Sequence, residues 1–177
     1  MDYFERIKTP PTPELDHQAH SPIPIPEAKD IGSVITFIKK TCDDLYFTSD
    51  SDEPVELYQL SSAGLQMLES DADKLTLPNA DDFAEFVAGT VTPHEEGFVA
   101  EKRPVGEFFA RLCSQQVSER QKKLAESLQT SFEKLSAADP GSSAAYYRVG
   151  FLPNIEVYVV MLIDGQVVGI KTLSVET

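Results

Sequence analysis

The pattern of apolar and polar positions is clearest in the part of the chain from residue 146 to residue 177. A run of β-branched and other apolar residues at 155–163 is followed by Asp164-Gly165 and by a second such run at 166–175. Two runs joined by Asp-Gly predict a β-hairpin, because a tight hairpin turn needs positive φ, which glycine adopts at little cost. Residues 157–163 are largely apolar on both faces, which is typical of a strand covered on both sides and central in its sheet. Glu176 and Thr177 then follow just beyond the end of the last strand.

Helical spacing of apolar residues appears in two segments of the first half of the chain. Residues 27–44 carry apolar positions that predict an amphipathic helix with one buried face, with Pro26 suited to its first turn. Asn79 is a candidate helix cap, and Gly89 a candidate end, for a short helix between them. Between these helices, Val55–Leu60 predicts a strand, whereas residues 61–80 favour neither strand nor helix clearly.

The longest helical pattern runs from Arg103 to Leu135. Its apolar stripe continues near a seven-residue period through Val117, which predicts one long helix or two helices with a break near Ser114. Thr92–Gly97 is expected to form a loop before it, and residues 139–143 to end it. Helices before and between antiparallel strands predict an α+β fold in which helices flank a mainly antiparallel sheet.

Residues 1–27 differ in composition from the rest of the chain, since they hold half of the twelve prolines and few large apolar residues. Proline has no amide donor and fixes φ, so this segment is expected to be a flexible proline-rich tail, followed by one domain at 28–177. Thr9-Pro10, Thr12-Pro13 and Ser21-Pro22 match the pattern of proline-directed phosphorylation sites.

Composition narrows the class of protein and of partner. The net charge of −14 over 177 residues argues against direct binding of nucleic acid or anionic lipid and favours attraction to basic surfaces. Cys42 and Cys113 lie far apart, which favours two buried thiols in a reducing compartment over a disulfide. The absence of a signal-peptide pattern or a long apolar run makes a cytoplasmic protein the expectation.

The chemistry-bearing residues do not form a recognisable catalytic motif. The sequence contains no GxSxG, HExxH, P-loop, GxGxxG or CxxC pattern and no Trp, and its three histidines are scattered. A nucleophilic Ser or Cys needs a base within reach, and neither cysteine has a histidine near it in sequence. The expectation is a protein that is not an enzyme, an unrecognised hydrolase being the alternative that turnover would reveal.

The densest group of acids occupies the bend between the first helix and the first strand, at Asp43–Glu56, with no Lys or Arg between residues 41 and 60. Asp50, Asp52 and Glu53 lie at its centre. A solvated acidic turn is one interpretation, and a surface that pairs with a basic partner is the other.

Two parts of the chain resemble the nuclease A inhibitor family, which consists of small acidic proteins that block a sugar-non-specific, metal-dependent nuclease. One is Asp44–Pro54 with the helix before it and the strand after it. The other comprises Tyr147–Gly150, Ile155–Val159 and the closing Ser174–Thr177. Together they cover roughly residues 30–177.

The resemblance implies an α/β/α sandwich, no cofactor, no metal of its own, and a 1:1 complex with the nuclease. It implies that Thr177 reaches the catalytic metal ion of the nuclease and that Asp50, which replaces a glutamate of the family and is one methylene shorter, contacts the same site. Glu176, Asp52 and Glu53 are the neighbouring partner-binding candidates. The alternative is a regulatory interaction module with the same fold, whose proline-rich tail docks in an aromatic groove of another protein.

Overall fold

The computed structural model describes residues 24–60, 76–89 and 96–177. Helices and strands alternate irregularly along these residues. The helices are α1 (Ile31–Cys42), α2 (Ala80–Ala88), α3 (Val105–Gln115) and α4 (Glu119–Ser136). The strands are β1 (Tyr46–Thr48), β2 (Asp52–Pro54), β3 (Glu56–Gln59), β4 (Phe98–Arg103), β5 (Ser143–Phe151), β6 (Asn154–Ile163) and β7 (Gln166–Val175).

The main sheet has five antiparallel strands in the order β3-β7-β6-β5-β4. The predicted hairpin is confirmed as β6–β7, and its turn residues Asp164 and Gly165 both have positive φ, at 48° and 69°. The strand β6 is central, as predicted, and residues 157–163 are buried on both faces. The α+β fold is therefore confirmed.

Helices cover both faces of this sheet and make three layers. One face packs α1, α3 and α4 against alternate residues of the central strands, including Val157, Val159 and Ile170. The other face packs α2, where the Phe83 ring stacks on Tyr147 with centroids 3.9 Å apart. The period-two burial of β6 is what separates the two cores, because successive side chains of a strand point to opposite faces.

Capping side chains set the helix boundaries. Asn79 accepts a hydrogen bond from the Asp82 amide and Gly89 has φ of 74°, so both predicted ends of α2 are confirmed. The apolar pattern predicted that the first helix begins at Glu27. In the structure it begins at Ile31. Asp30 is its N-cap, because the Asp30 side chain accepts a hydrogen bond from the Ser33 amide. Pro26 and Glu27 therefore lie before the helix and not in its first turn.

The long helical segment is two helices, as one of the two predicted alternatives had it. The break falls at residues 116–118, and Ser118 caps α4 by accepting from the Gln121 amide. The prediction that Val117 continues the buried stripe is wrong, because this residue lies in the link and is 90% exposed. The helical phase restarts at Ser118, so a period carried across the break does not predict burial.

The edge strand β4 has no counterpart in the predicted order of elements. Its first half, Phe98–Ala100, is apolar and its second half, Glu101–Arg103, is charged, so it lacks the alternation of a half-buried strand. It pairs on one side only, with β5, and its residues are partly exposed. An edge strand of this kind gives little periodic signal.

Three predicted segments are described by the structure only in part. Most of the proline-rich tail, most of the uncertain 61–80 segment and most of the Thr92–Gly97 loop lie outside the described residues. Both cysteines are free thiols; Cys42 is buried as predicted, whereas Cys113 is only half-buried. Burial raises the pKa of the Cys42 thiol to about 11, so it is not a thiolate nucleophile at neutral pH.

Candidate functional site

The end of β7 lies directly beside the acidic bend. The Thr177 amide and the Thr177 hydroxyl both donate to the same carboxylate oxygen of Asp50, Oδ2, at 2.8 and 2.6 Å. The structure thus brings together the two residues to which the resemblance assigns the central role. Both hydrogen bonds have a charged acceptor, and charge-assisted hydrogen bonds are stronger than those between neutral groups.

Backbone contacts hold the same tip at two further points. The Asp50 amide donates to the Val175 carbonyl at 3.0 Å, and the Val175 amide donates to Ser49 Oγ at 2.8 Å. We call the contacts of Ser49 and Asp50 with Val175 and Thr177 the C-terminal clasp. On the other side, the Glu176 amide donates to the Pro153 carbonyl at 2.7 Å. The last residues are therefore held between the bend and the β5–β6 turn.

The side chain of Glu176 points to an ion network rather than to the clasp. Its Oε1 accepts from Arg148, which also pairs with Glu101 at 2.8 Å, and from Ser174 Oγ at 2.9 Å. Burial alone would raise the pKa of Glu176, but the hydrogen bonds from Arg148 and Ser174 outweigh it and lower that pKa. Arg148 is only 12% exposed along its side chain, so this pair fixes the backbone that leads into Thr177.

The other two candidates lie on β2 and stabilise the bend itself. Asp52 Oδ1 accepts from Thr48 Oγ1 at 2.7 Å across the β1–β2 pair. Glu53 Oε1 accepts from Ser51 Oγ at 2.6 Å. Asp52 is exposed and Glu53 half-buried, and neither is hydrogen-bonded to Thr177 among the described residues.

The acidic bend contains a two-stranded hairpin, β1–β2, which α3 supports. Phe47 of β1 is buried and stacks on Phe108 at 5.3 Å between ring centroids. The backbone of Thr48 is held by Gln115, whose amide group both donates to its carbonyl at 2.6 Å and accepts from its amide at 3.0 Å. Arg111 also donates to the Thr48 carbonyl, at 3.2 Å. The acidic bend therefore has a fixed position relative to the sheet.

Charge and hydrogen bonding at the clasp favour an ionised Asp50. The hydrogen bonds from the Thr177 hydroxyl and amide lower the pKa of Asp50, whose side chain is exposed. The described residues contain no group of three or more His, Cys, Asp or Glu side chains placed to hold a metal ion. Chemically, the tip can offer the Thr177 hydroxyl, its carboxylate and the Asp50 carboxylate to a cationic partner.

Sequence patterns assign no individual role to several residues that build this site. Ser49, Arg148 and Pro153 hold the tip, yet their roles depend on contacts across the sheet. Phe151, the last residue of β5, is 40% exposed, and Leu152, in the turn after it, is 59% exposed. Pro153 of the same turn accepts the hydrogen bond from the Glu176 amide. Two consecutive large apolar residues before a proline were the one local signal that could have drawn attention to this turn.

Comparison with known proteins identifies the family. No helix within the described residues has the length and apolar character needed to span a membrane. A search of curated proteins found no match. A family model described as nuclease A inhibitor-like protein matches residues 32–177, which include all the helices and strands of the described residues except the first residue of α1. The chain therefore belongs to the nuclease A inhibitor-like family, which indicates a non-enzymatic inhibitor whose partner is a nuclease.

Proposed function

We propose that this protein inhibits a sugar-non-specific, Mg²⁺-dependent nuclease in a 1:1 complex, by occluding its active site with the C-terminal tip and the acidic bend. The observation that carries the proposal is the clasp, in which Asp50 receives both the amide and the hydroxyl of Thr177. The clasp presents the last residue at a defined position rather than as a frayed end.

In this proposal Thr177 is directed at the metal ion of the nuclease. Its carboxylate and hydroxyl are hard oxygen ligands, and Mg²⁺ bound by few protein groups keeps water positions that another oxygen can occupy. Asp50 is a positioning residue for Thr177, because its Oδ2 is occupied by the two hydrogen bonds. With one methylene fewer than the family glutamate, its carboxylate stays within reach of the Thr177 amide.

Preorganisation explains why the clasp matters for affinity. Chain ends are usually poorly ordered, and fixing one residue's backbone costs roughly 1–2 kcal/mol. A tip that is already held by Ser49, Asp50 and Pro153 has lost that freedom before the partner arrives. Binding then avoids most of this ordering cost.

The acidic surface around the tip complements an enzyme that handles polyanions. Such a nuclease presents Arg, Lys and a divalent cation, and Asp52 and Glu53 extend the negative charge next to the clasp. The apolar turn at Phe151 and Leu152 adds a contact of another kind beside the tip. Interfaces of this composition combine a desolvated apolar contact with a polar rim.

The test is a titration of a sugar-non-specific, Mg²⁺-dependent nuclease with the intact protein and with a variant that lacks Glu176 and Thr177. We expect complete inhibition near an equimolar ratio, and its loss on truncation. The matched control is Thr177→Ser, which keeps the amide, the hydroxyl and the carboxylate and should inhibit normally. Inhibition that survives truncation would retain the nuclease as partner and reject the metal-directed tip, whereas no inhibition by the intact protein would reject the proposed function for that nuclease.

A further inference from the structure

A groove of about 1260 Å³ lies between residues 24–29, which precede α1, and α4. Its wall residues 24–29 stand before the family-matched segment that starts at residue 32, and it shares no residue with the C-terminal clasp. The groove is therefore a feature of this chain in addition to the proposed inhibitory surface.

Basic side chains are concentrated at this groove in an otherwise acidic protein. Three acids and five basic residues line it, although the chain carries a net charge of −14. The basic residues are Lys29, Lys40, Arg120, Lys123 and Lys134. Arg120 pairs with Asp44, whereas the four lysines are not within 4.0 Å of any carboxylate of the described residues. The groove thus offers exposed positive charge to an anionic ligand.

Between these charges the groove has an apolar floor. Ile25 and Leu124 are half-buried against the main core, and Leu135 is buried within it. The volume exceeds the roughly 300–1,000 Å³ of pockets for drug-sized ligands, which suits an extended peptide. The complementary ligand is a peptide segment with an apolar side chain flanked by carboxylates.

We propose that the groove binds this chain's own N-terminal segment at Glu14-Leu15-Asp16. This tripeptide places one leucine between two acids, and it is joined to the groove through Pro24, one of the lining residues. The ten residues from Leu15 to Pro24 make nine Cα-to-Cα steps, which span up to about 30 Å when extended. The lining part of α4, from Arg120 to Lys134, is about 21 Å long, so the segment reaches every part of it.

Covalent attachment makes this occupant favourable over a free peptide. A short flexible connection gives a local concentration on the order of millimolar, so weak contacts suffice for occupancy. The leucine would cover the apolar floor, and the two carboxylates would meet the four lysines, which pair with no carboxylate of the described residues. The proline-rich segment is then held against α4 and is not free to recruit another protein.

The test is a charge-swap cycle on the full chain, read by ¹⁵N relaxation at low salt. We expect the heteronuclear NOE of the Leu15 amide to approach that of residues in α4, and to fall in Lys123→Glu/Lys134→Glu. The variant Glu14→Lys/Asp16→Lys should lose the ordering in the same way and should shift the amide resonances of Leu124 and Leu135. Combining both swaps should restore the ordering, since the charges are complementary again.

The matched control is Lys39→Glu/Lys122→Glu, which changes the net charge equally on neighbours of Lys40 and Lys123 that do not line the groove. It should leave Leu15 ordered. A low Leu15 NOE in the unaltered chain, or swaps that do not compensate each other, would overturn the proposal. Ordering that grows with protein concentration would assign the groove to a second copy's segment and overturn the intramolecular occupant. Nuclease inhibition, measured on the same variants, reports on the proposed function separately.

Discussion

The carboxylate of Asp50 is the group through which the bend holds Thr177 in place. It accepts two hydrogen bonds from Thr177, while its own amide donates to Val175. This arrangement makes Asp50 a link between the bend and Thr177.

Removing the Asp50 carboxylate should therefore release the tip without disturbing the fold, because the side chain is exposed. We expect Asp50→Ala to weaken inhibition by roughly tenfold or more, since the tip must then be ordered on binding. The measurement is the inhibition constant, with circular dichroism to verify the fold. Asp164→Asn, which removes a carboxylate at the β6–β7 turn and tolerates positive φ, is the control and should inhibit nearly normally. Equal inhibition by Asp50→Ala and the intact protein would show that the clasp does not contribute.

The pH dependence of the clasp follows from the lowered pKa values of Asp50 and Glu176. A carboxylate with a lowered pKa stabilises the folded arrangement above its ordinary pKa, and that stabilisation is lost as the pH falls through the lowered value. We expect the Thr177 amide resonance to be constant at neutral pH and to move only in this acidic range. Asp50→Asn should remove the Asp50 component of that titration and leave only the component of the Thr177 carboxylate, whereas Glu176→Gln should leave the Asp50 component in place. A Thr177 shift that titrates near pH 7 would contradict the assignment.

At the scale of elements, close strand packing makes β7 sensitive to a single methyl group. A Cβ on Gly169 would lie 2.0 Å from the Val159 carbonyl oxygen and 2.7 Å from Val160 Cα, both on the neighbouring strand. We expect Gly169→Ala to lower the free energy of unfolding by about 1–3 kcal/mol or more, measured by chemical denaturation. Gly106→Ala in α3 is the control, because nothing lies within 4 Å of its Cβ, and it should be neutral or stabilising by about 0.4–1 kcal/mol. Equal stability of the two variants would contradict the close approach.

The elements differ in how far the sequence predicted them. The β6–β7 hairpin and the ends of α2 were predicted because Asp164-Gly165, Asn79 and Gly89 act locally on the backbone. The edge strand β4 was missed because its burial comes from one neighbour only, and the exposure of Val117 was missed because helix phase restarts at a cap. These features depend on tertiary contacts that periodicity does not record.

The candidate site shows the same division between residue identity and contact. Resemblance pointed to Asp50 and Thr177, but their hydrogen bonds join residues 127 positions apart. That contact exists because β3 pairs with β7, which brings the end of β7 beside the bend that precedes β3. Glu176 had been grouped with the partner-binding residues, and its pairing with Arg148 depends on the order of β5, β6 and β7.

At the scale of the whole molecule, the net charge of −14 and the apolar turn should act on different steps of binding. Long-range attraction raises association rates by about 10- to 1,000-fold and is screened over about 10 Å at 0.1 M salt. We expect the association rate constant with the nuclease to fall roughly tenfold or more as salt rises from about 0.01 to about 0.5 M, with little change in dissociation.

Phe151→Ser/Leu152→Ser provides the complementary variant, because it removes exposed apolar area beside the tip and leaves the charge unchanged. It should raise the dissociation rate constant while keeping the slope of association against salt, since loss of a short-range contact acts on the bound state. Stopped-flow fluorescence or surface plasmon resonance over a salt series separates the two rate constants. Association that is insensitive to salt would contradict charge steering of the acidic surface. An unchanged dissociation rate in the double variant would place the Phe151–Leu152 turn outside the interface and leave the clasp and the acidic bend as its contacts.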